Sequence, residues 1–257
     1  MVELQEVINI AIKAGEKILE IYNTEDFDVQ IKSDTSPLTR ADTTSHNLIK
    51  EKLLSLYPAI PILSEEGKDV PYEIRKNWNR FWLVDPLDGT KEFIKKNGEF
   101  TVNIALIEKN IPTLGLIYAP AYHMNTADRG TFSGTLYYAK KGIGSFKQVA
   151  GSNPVKLPCF SYRGYNTAVR SRSHSSPKEE EILNKYNVKE TIPVGSSLKF
   201  CTVAEGQAQI YYRHGPTYEW DVAAGYAIAK YAGNVINGLT FNKPSLLNNS
   251  FIVMSII

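Results

Sequence analysis

The sequence predicts a mixed α/β protein: helices packed on an antiparallel central region, followed by a smaller α/β lobe. Three observations carry that expectation. Two amphipathic stripes of helical period open the chain, strand-like segments broken by turns fill its middle, and strands alternate with helices in its last part. Its 257 residues suffice to bury a sizeable core, as one large domain or two intimate lobes.

Apolar or small residues recur at Leu4, Val7, Ile8, Ala11, Ala14, Gly15, Ile18, Leu19 and Tyr22, which predicts the first helix. A second stripe runs through Ala41, Ser45, Leu48, Ile49, Lys52, Leu53 and Leu56. The polar segment between them, Lys32 to Thr39 with Pro37, reads as a mobile loop. Ile60 to Leu63 and Phe81 to Val84 are short apolar runs ending in acidic residues, as buried strands do. Phe100 to Ile107, Thr113 to Tyr118 and Thr135 to Ala139 have strand character, with Gly and Pro between them. Gly151 to Pro158 reads as a linker, which sets expected lobes at 1–150 and 151–257 within one compact unit. Beyond it the expected order is strand (Asn166 to Val169), helix (Pro177 to Tyr186), short strand, helix (Ser196 to Glu205), strand (Gln209 to Tyr212) and helix (Tyr218 to Tyr231).

Composition narrows the function classes. Lys plus Arg, 29, nearly balances Asp plus Glu, 27, so the chain lacks the basic excess of a protein that coats a nucleic acid polymer. A small anionic ligand remains compatible, because a few cations in one cleft hold it. Cys159 and Cys201 form neither a metal-ligand spacing nor a disulfide framework, and both read as reduced, buried apolar residues. No leader is visible and no apolar run reaches membrane-spanning length, which makes the cytoplasm the expected compartment.

The chemistry concentrates in Asp85-Pro86-Leu87-Asp88-Gly89-Thr90. Asp85 follows a buried strand, Pro86 is expected to end it, and Asp88-Gly89 supplies a turn. Thr90 opens the next segment, where free backbone N–H groups suit a phosphate. Two carboxylates on such a turn fit a hard cation bridged to an anionic oxygen, and Mg²⁺ is the natural choice. In isolation the hexapeptide also reads as a surface turn. Two further acidic sites shift the balance: Ser64-Glu65-Glu66-Gly67 closes another strand, and Asp221 lies in the first turn of a helix, where it is either a favourable N-terminal charge or a ligand. Gly195-Ser196-Ser197 offers N–H donors at a helix start, and Lys199 adds a charge suited to a second phosphate. Arg172 and Lys91 read equally well as contributors or as solvated surface charges.

Glu65-Glu66, Asp85 to Thr90 and Trp220-Asp221-Val-Ala-Ala-Gly225, in this order, resemble the signature of the inositol monophosphatase superfamily of lithium-sensitive, Mg²⁺-dependent phosphatases. The resemblance covers nearly the whole chain and implies a five-layer α-β-α-β-α sandwich. It implies metal roles for Glu65, Asp85, the Leu87 carbonyl, Asp88 and Asp221, around two principal Mg²⁺ ions and often a weaker third. Thr39-Arg40-Ala41-Asp42 matches the segment whose aspartate pairs with the threonine of the hexapeptide. Asp42, Thr90 and Glu65 are thus the implied catalytic residues, with Asp42 and Thr90 activating water for attack on phosphorus.

Thr90-Lys91-Glu92-Phe93, Ser171-Arg172-Ser173-His174, Gly195 to Cys201 and Gly215 to Asp221 resemble the bacterial 3′(2′),5′-bisphosphate nucleotidases within that superfamily. This implies a small bisphosphorylated nucleotide as substrate, 3′-phosphoadenosine 5′-phosphate yielding AMP, a step belonging to sulfur metabolism. The implied substrate contacts are Glu65, Leu87, Asp88, Gly89, Thr90, Ser196, Lys199 and Asp221; His174 reads as structural or substrate-edge, and His214 receives no role. An inositol-phosphate phosphatase and a non-catalytic nucleotide or metal sensor are the alternatives on the same fold. The resemblance leaves monomer and homodimer both open, and by analogy it allows peripheral association with the inner face of a bacterial membrane, although no basic amphipathic segment demands it. A haloacid dehalogenase-type reading fails on spacing, since two residues rather than one separate Asp85 from Asp88.

Overall fold

A computed structural model of the chain describes residues 2–24, 26–32, 36–122, 134–149, 152–172 and 176–255. Helix α1 (Leu4–Tyr22) buries the predicted stripe, with Val7, Ala11, Ala14 and Ile18 fully covered. Strands β1 (Gln30–Ile31) and β2 (Pro37–Leu38) form a short antiparallel ladder, with β2 inside the segment expected to be a loop, of which 33–35 lie outside the described residues. Thr39 then caps α2 (Arg40–Leu56): its Oγ accepts from the Ala41 N–H, and its own N–H donates to the Asp42 carboxylate. The second stripe departs from expectation in two places. Leu56 is exposed, whereas His46 is buried with Nδ1 2.9 Å from Ser64 Oγ.

The chain next builds a seven-stranded sheet from β3 (Ile62–Ser64), β4 (Arg80–Asp88), β5 (Thr101–Glu108), β6 (Ile111–Ala119), β7 (Thr135–Lys140), β8 (Gly144–Val149) and β9 (Val155–Lys156), in that order. Only β3 and β4 are parallel in it. Two short helices, α3 (Tyr72–Arg75) and α4 (Thr90–Ile94), flank β4. Part of the expected linker is therefore sheet: Val155 and Lys156 pair with β8.

After β10 (Asn166–Arg170) come α5 (Pro177–Lys185), β11 (Val188–Pro193), α6 (Leu198–Glu205), β12 (Ile210–Arg213), β13 (Thr217–Tyr218), α7 (Glu219–Tyr231), β14 (Val235–Asn237), β15 (Leu247–Asn248) and β16 (Phe251–Met254). The second sheet has the order β11-β10-β12-β16-β14, with β11, β10 and β12 parallel and β16 antiparallel to both its neighbours. The sequence reading stops at α7. The later strands are too short and too polar at their ends to show a period.

Three apolar clusters define five layers. One joins α1 and α2 to Trp82, Val84, Ile104 and Leu116 on one face of the first sheet. A second joins Phe81, Leu83, Ile107 and Ile117 on its other face to α6, α7 and the inner face of the second sheet. The third sets Leu183 of α5 against Ala168 and Ile210 on the outer face. Adjacent residues of β4 thus enter different clusters, which is why its sequence is continuously apolar rather than alternating. The middle layer is tight: a Cβ on Gly115 of β6 would lie 2.4 Å from the Ala224 carbonyl oxygen of α7. Small residues along α7 let the two backbones meet.

Pro86 does not end its strand. The ladder pairs Asp85 with Asn103 and Asp88 with Thr101, so three steps along β4 match two along β5 and a bulge absorbs the difference. A proline fits there because the bulge asks no ladder hydrogen bond of it. Ser45 Oγ of α2 donates to the Pro86 carbonyl at 2.8 Å and holds the bulge against the helix. The two cysteines also differ from each other: Cys201 is buried as expected, whereas Cys159 is exposed.

Candidate functional site

The bulge decides where the hexapeptide's acids go. Asn103 and Thr101 share one face of β5, so their partners Asp85 and Asp88 do too, despite their odd separation. Gly89 follows at φ +89°, and a Cβ there would meet the Glu99 carbonyl oxygen at 3.0 Å. That left-handed turn lets Thr90 open α4 beside the acids.

Carboxylate oxygens of Glu65, Asp85 and Asp221 lie within 4.8 Å of one another. They come from the end of β3, from β4 and from the first turn of α7. Glu65 is set by its N–H donating to the Val84 carbonyl at 3.1 Å. Asp221 is set by accepting the Tyr218 N–H at 2.8 Å, and Asp85 accepts the Leu87 N–H at 3.1 Å. Burial, then the neighbouring Glu65, Asp88 and Asp221 charges, push the Asp85 pKa well above the ordinary carboxylate range. Burial and the Asp88 and Glu65 charges do the same to Asp221, and burial raises Glu65. Groups brought together at such electrostatic cost call for a cation. Lys32 meets part of the need: its ammonium contacts Glu65 at 2.8 Å and also Glu66, whose charges overcome burial and raise the lysine pKa. The all-oxygen donor set fits Mg²⁺ rather than a softer metal.

Asp88 stands apart from those three. Its Oδ2 accepts from Ser197 Oγ at 2.5 Å, Ser196 Oγ at 3.0 Å and Asn103 Nδ2 at 3.4 Å. Asp42 is buried, and its Oδ2 accepts from the Thr39 N–H at 2.8 Å and Thr39 Oγ at 2.5 Å. Its Oδ1 accepts from Thr90 Oγ at 3.2 Å, and Thr90 Oγ also lies 3.4 Å from the Leu87 carbonyl oxygen. Burial raises the Asp42 pKa against the opposing effect of the Thr39 hydrogen bonds. The structure thus brings together every candidate from α2, β3, the hexapeptide and α7.

Asp88, Gly89 and Asp221 form one side of a cavity of about 150 Å³ that Gly195, Ser196, Ser197, Lys199 and Arg213 complete. The buried Lys199 ammonium donates to the Ser196 carbonyl at 2.6 Å, and burial lowers its pKa to about 8. Ser196 has φ +51° and precedes α6, which begins at Leu198. Arg172 and Lys91 do not line this cavity: Arg172 is engaged by Glu99 and Lys91 is exposed. Ser173 and His174 lie outside the described residues.

Sequence reasoning missed several participants. Arg213 closes β12, and its buried Nε has no hydrogen-bond partner among the described residues. It separates the first cavity from a second, of about 350 Å³, lined by Tyr211, Tyr212, His214 and Pro216. A strand-end arginine carries no local signal. Asn103 did carry one, as a polar residue inside an otherwise apolar strand.

The inositol monophosphatase family model matches residues 3–255. The chain belongs to the inositol monophosphatase family. Within it, the chain is 46% identical over 232 residues to the 3′(2′),5′-bisphosphate nucleotidase CysQ of Shigella flexneri, covering 90% of this chain and 88% of that one. It is 45% identical over 255 residues to CysQ of Salmonella typhimurium, covering 96% and 98%. The crystal structure of CysQ from Bacteroides thetaiotaomicron, a bacterial member of the inositol monophosphatase family, superposes with a TM-score of 0.83 at 41% identity, covering 98% and 96%. The five-layer order of helices and sheets described above is thus that of an inositol monophosphatase-family fold. No helix among the described residues is long and apolar enough to cross a membrane.

Proposed function

We infer that the protein is a Mg²⁺-dependent 3′(2′),5′-bisphosphate nucleotidase, converting 3′-phosphoadenosine 5′-phosphate and water to AMP and phosphate. The names of its relatives support the substrate class. The observation that carries the reading is the join between two unlike environments. Asp88 and Asp221 line one side of the cavity, and Lys199 and Arg213, whose buried Nε has no hydrogen-bond partner among the described residues, line another. A monophosphate needs only the acidic side with its cation. A second phosphate on the same substrate accounts for the pair of cations.

Glu65, Asp85, the Leu87 carbonyl, Asp88 and Asp221 would hold the metal, as two principal ions with a weaker third. When bound, Mg²⁺ supplies a Lewis acid that offsets both the acids' charge and the charge on the transferring phosphoryl group. The chain's own groups handle the proton. Thr90 donates its hydroxyl hydrogen to Asp42, which leaves the Thr90 oxygen able to accept a hydrogen from water. As that water attacks phosphorus, its proton moves to Thr90 Oγ while the Thr90 proton passes to Asp42 Oδ1; the bond from phosphorus to the ribose 3′ oxygen breaks, and that oxygen takes a proton from solvent water to become the hydroxyl of AMP. The raised Asp42 pKa makes it a better acceptor than an exposed aspartate. Thr39 fixes the other Asp42 oxygen, so only Oδ1 turns toward the threonine.

Arg213 and Lys199 orient the second phosphate, and the aromatic second cavity beyond Arg213 receives the nucleoside. Both expected lobes contribute: 1–150 supplies Asp42, Glu65 and the hexapeptide, and 151–257 supplies the serine loop, both cations and Asp221. One chain suffices for all of them. Phosphate release from 3′-phosphoadenosine 5′-phosphate, 3′-phosphoadenylyl sulfate and inositol 1-phosphate, with and without Mg²⁺, tests the reading. The adenosine bisphosphate is expected to give the highest kcat/KM, and a preference for inositol phosphate refutes the nucleotidase assignment.

A further inference from the structure

Glu99 lies between α4 and β5, in the first lobe, yet its carboxylate is occupied entirely by the second. Arg172 Nε donates to Oε2 at 2.6 Å and a terminal Arg172 nitrogen donates to Oε1 at 2.6 Å. The Gly195 N–H donates to Oε2 at 2.8 Å. Arg172 lies two residues beyond β10 and Gly195 two beyond β11, at matching ends of two paired parallel strands. One carboxylate therefore ties the leading edge of β5 to both loops. The Glu99 side chain is only 12% exposed and is gripped by both nitrogens of a bidentate guanidinium.

Gly195 admits no side chain at this contact, since a Cβ would come within 2.9 Å of Glu99 Oε2. The next residue, Ser196, holds the left-handed φ of +51°, which a residue with a Cβ adopts at an energetic cost. From that conformation Ser196 Oγ reaches Asp88 Oδ2 at 3.0 Å and Thr101 Oγ at 2.7 Å. Its carbonyl receives the Lys199 ammonium. Ser197 then reaches the same Asp88 oxygen, and also the Asp221 carbonyl at 2.9 Å. Every one of these contacts starts from the loop that Glu99 tethers.

We propose that Glu99, clamped by Arg172, is a positioning residue: it holds the Gly195–Ser197 loop so that Ser196 and Ser197 orient Asp88 for the cation. It rests on the metal and phosphate roles given above for Asp88 and Lys199, but its first readout needs no substrate. The rise in Tm produced by Mg²⁺ reports cation binding directly. Glu99→Ala is expected to raise the Mg²⁺ concentration giving half that rise by about tenfold to a hundredfold, the usual cost of removing a group that orients a ligand. Glu99→Gln still accepts from the Gly195 N–H and stays within about fivefold of wild type, the difference between a charged and a neutral hydrogen bond. Arg172→Ala falls between them and keeps the fold, because Arg172 is 44% exposed.

Combining Glu99→Ala with Arg172→Ala should be no worse than Glu99→Ala alone, since both act through one carboxylate. If Glu99→Ala lowers Tm but leaves the Mg²⁺ half-saturation at the wild-type value, the pair is only a structural tie and the proposal is overturned. It is overturned equally if Glu99→Gln is as damaging as Glu99→Ala. Wild-type protein that binds Mg²⁺ without releasing phosphate from the bisphosphate would refute the nucleotidase reading, and the Tm series would still decide the role of Glu99.

Discussion

Replacing Asp85 by Asn separates the electrostatic cost of the acidic cluster from its use. At 4.8 Å, the limit within which these carboxylate oxygens all lie, and an effective dielectric constant of about 20, two carboxylates repel by roughly 3.5 kcal/mol, and by more when closer. Keeping Asp85 ionised against Glu65 and Asp221 without a metal therefore costs about 7 kcal/mol, before burial is counted. Holding a proton on it at pH 7 costs about 4 kcal/mol relative to an unfolded chain in which the group titrates near pH 4. The cheaper route sets the penalty. Because the folded pKa is raised, stability is fully present below the unfolded pKa and is lost as pH rises toward the folded one. Asparagine, of similar shape and always neutral, escapes that loss. Metal-free Asp85→Asn should thus exceed wild type at pH 7 by up to about 4 kcal/mol, a gain of roughly 10 °C in Tm for a chain of this size. The gain should shrink toward zero near pH 4. Mg²⁺ should raise the wild-type Tm, leave that of the variant nearly unchanged, and restore no phosphate release. Thermal denaturation across pH, with chelator or with Mg²⁺, measures all of this. A metal-free variant no more stable than wild type at pH 7, or an equal Mg²⁺ response in both, would refute the reasoning.

Other expectations follow from the same contacts. Thr90→Ala and Asp42→Asn should each lower kcat by about 10² to 10⁴, the usual worth of general base assistance, with KM little changed in steady-state assays; Thr90→Ser should retain most activity. Arg213→Ala should raise KM for the bisphosphorylated nucleotide by roughly tenfold to a hundredfold, through loss of a charged hydrogen bond, and have little effect on an inositol monophosphate. The Lys199 pKa of about 8 predicts that KM for the bisphosphate climbs as pH passes that value, and Lys199→Met should remove this inflection. For stability the sign is opposite: the cost of burying the ammonium is present below pH 8 and is relieved above it. Gly115→Ala, which drives a Cβ against the α7 backbone, should cost about 1–3 kcal/mol in denaturant unfolding.

The helices and the acidic motifs are legible in the sequence because their information is local. A stripe such as Val7, Ala11, Ala14 and Ile18 repeats with the helix, and Asp85 to Thr90 keeps its turn chemistry in one stretch. What was hidden depends on partners far along the chain. Arg213 matters because its buried Nε meets no hydrogen-bond partner among the described residues, and Glu99 because Arg172 and Gly195 arrive from 73 and 96 residues away. Pro86 misled for a physical reason: proline forbids a regular ladder, but a bulge is not a regular ladder. Asp221 takes part in two kinds of contact at once. It caps α7 through the Tyr218 N–H and also joins the acid cluster.

The mismatch between β4 and β5 makes the site a matter of parity. A strand turns its side chains up and down by odd and even count, and Asp85 and Asp88 differ by an odd number. The extra residue changes that count once, locally, so both acids face the same way while the strands on either side keep their pairing. Deleting Leu87 would let the ladder run regularly with Asp85 and Asp88 still opposite Asn103 and Thr101, and so still on one face. What such a chain would lose is the Leu87 carbonyl beside Thr90 and a buried side chain of the first apolar cluster. The fold supplies the layers; one unpaired step in a ladder adds that carbonyl while the acids keep their common face.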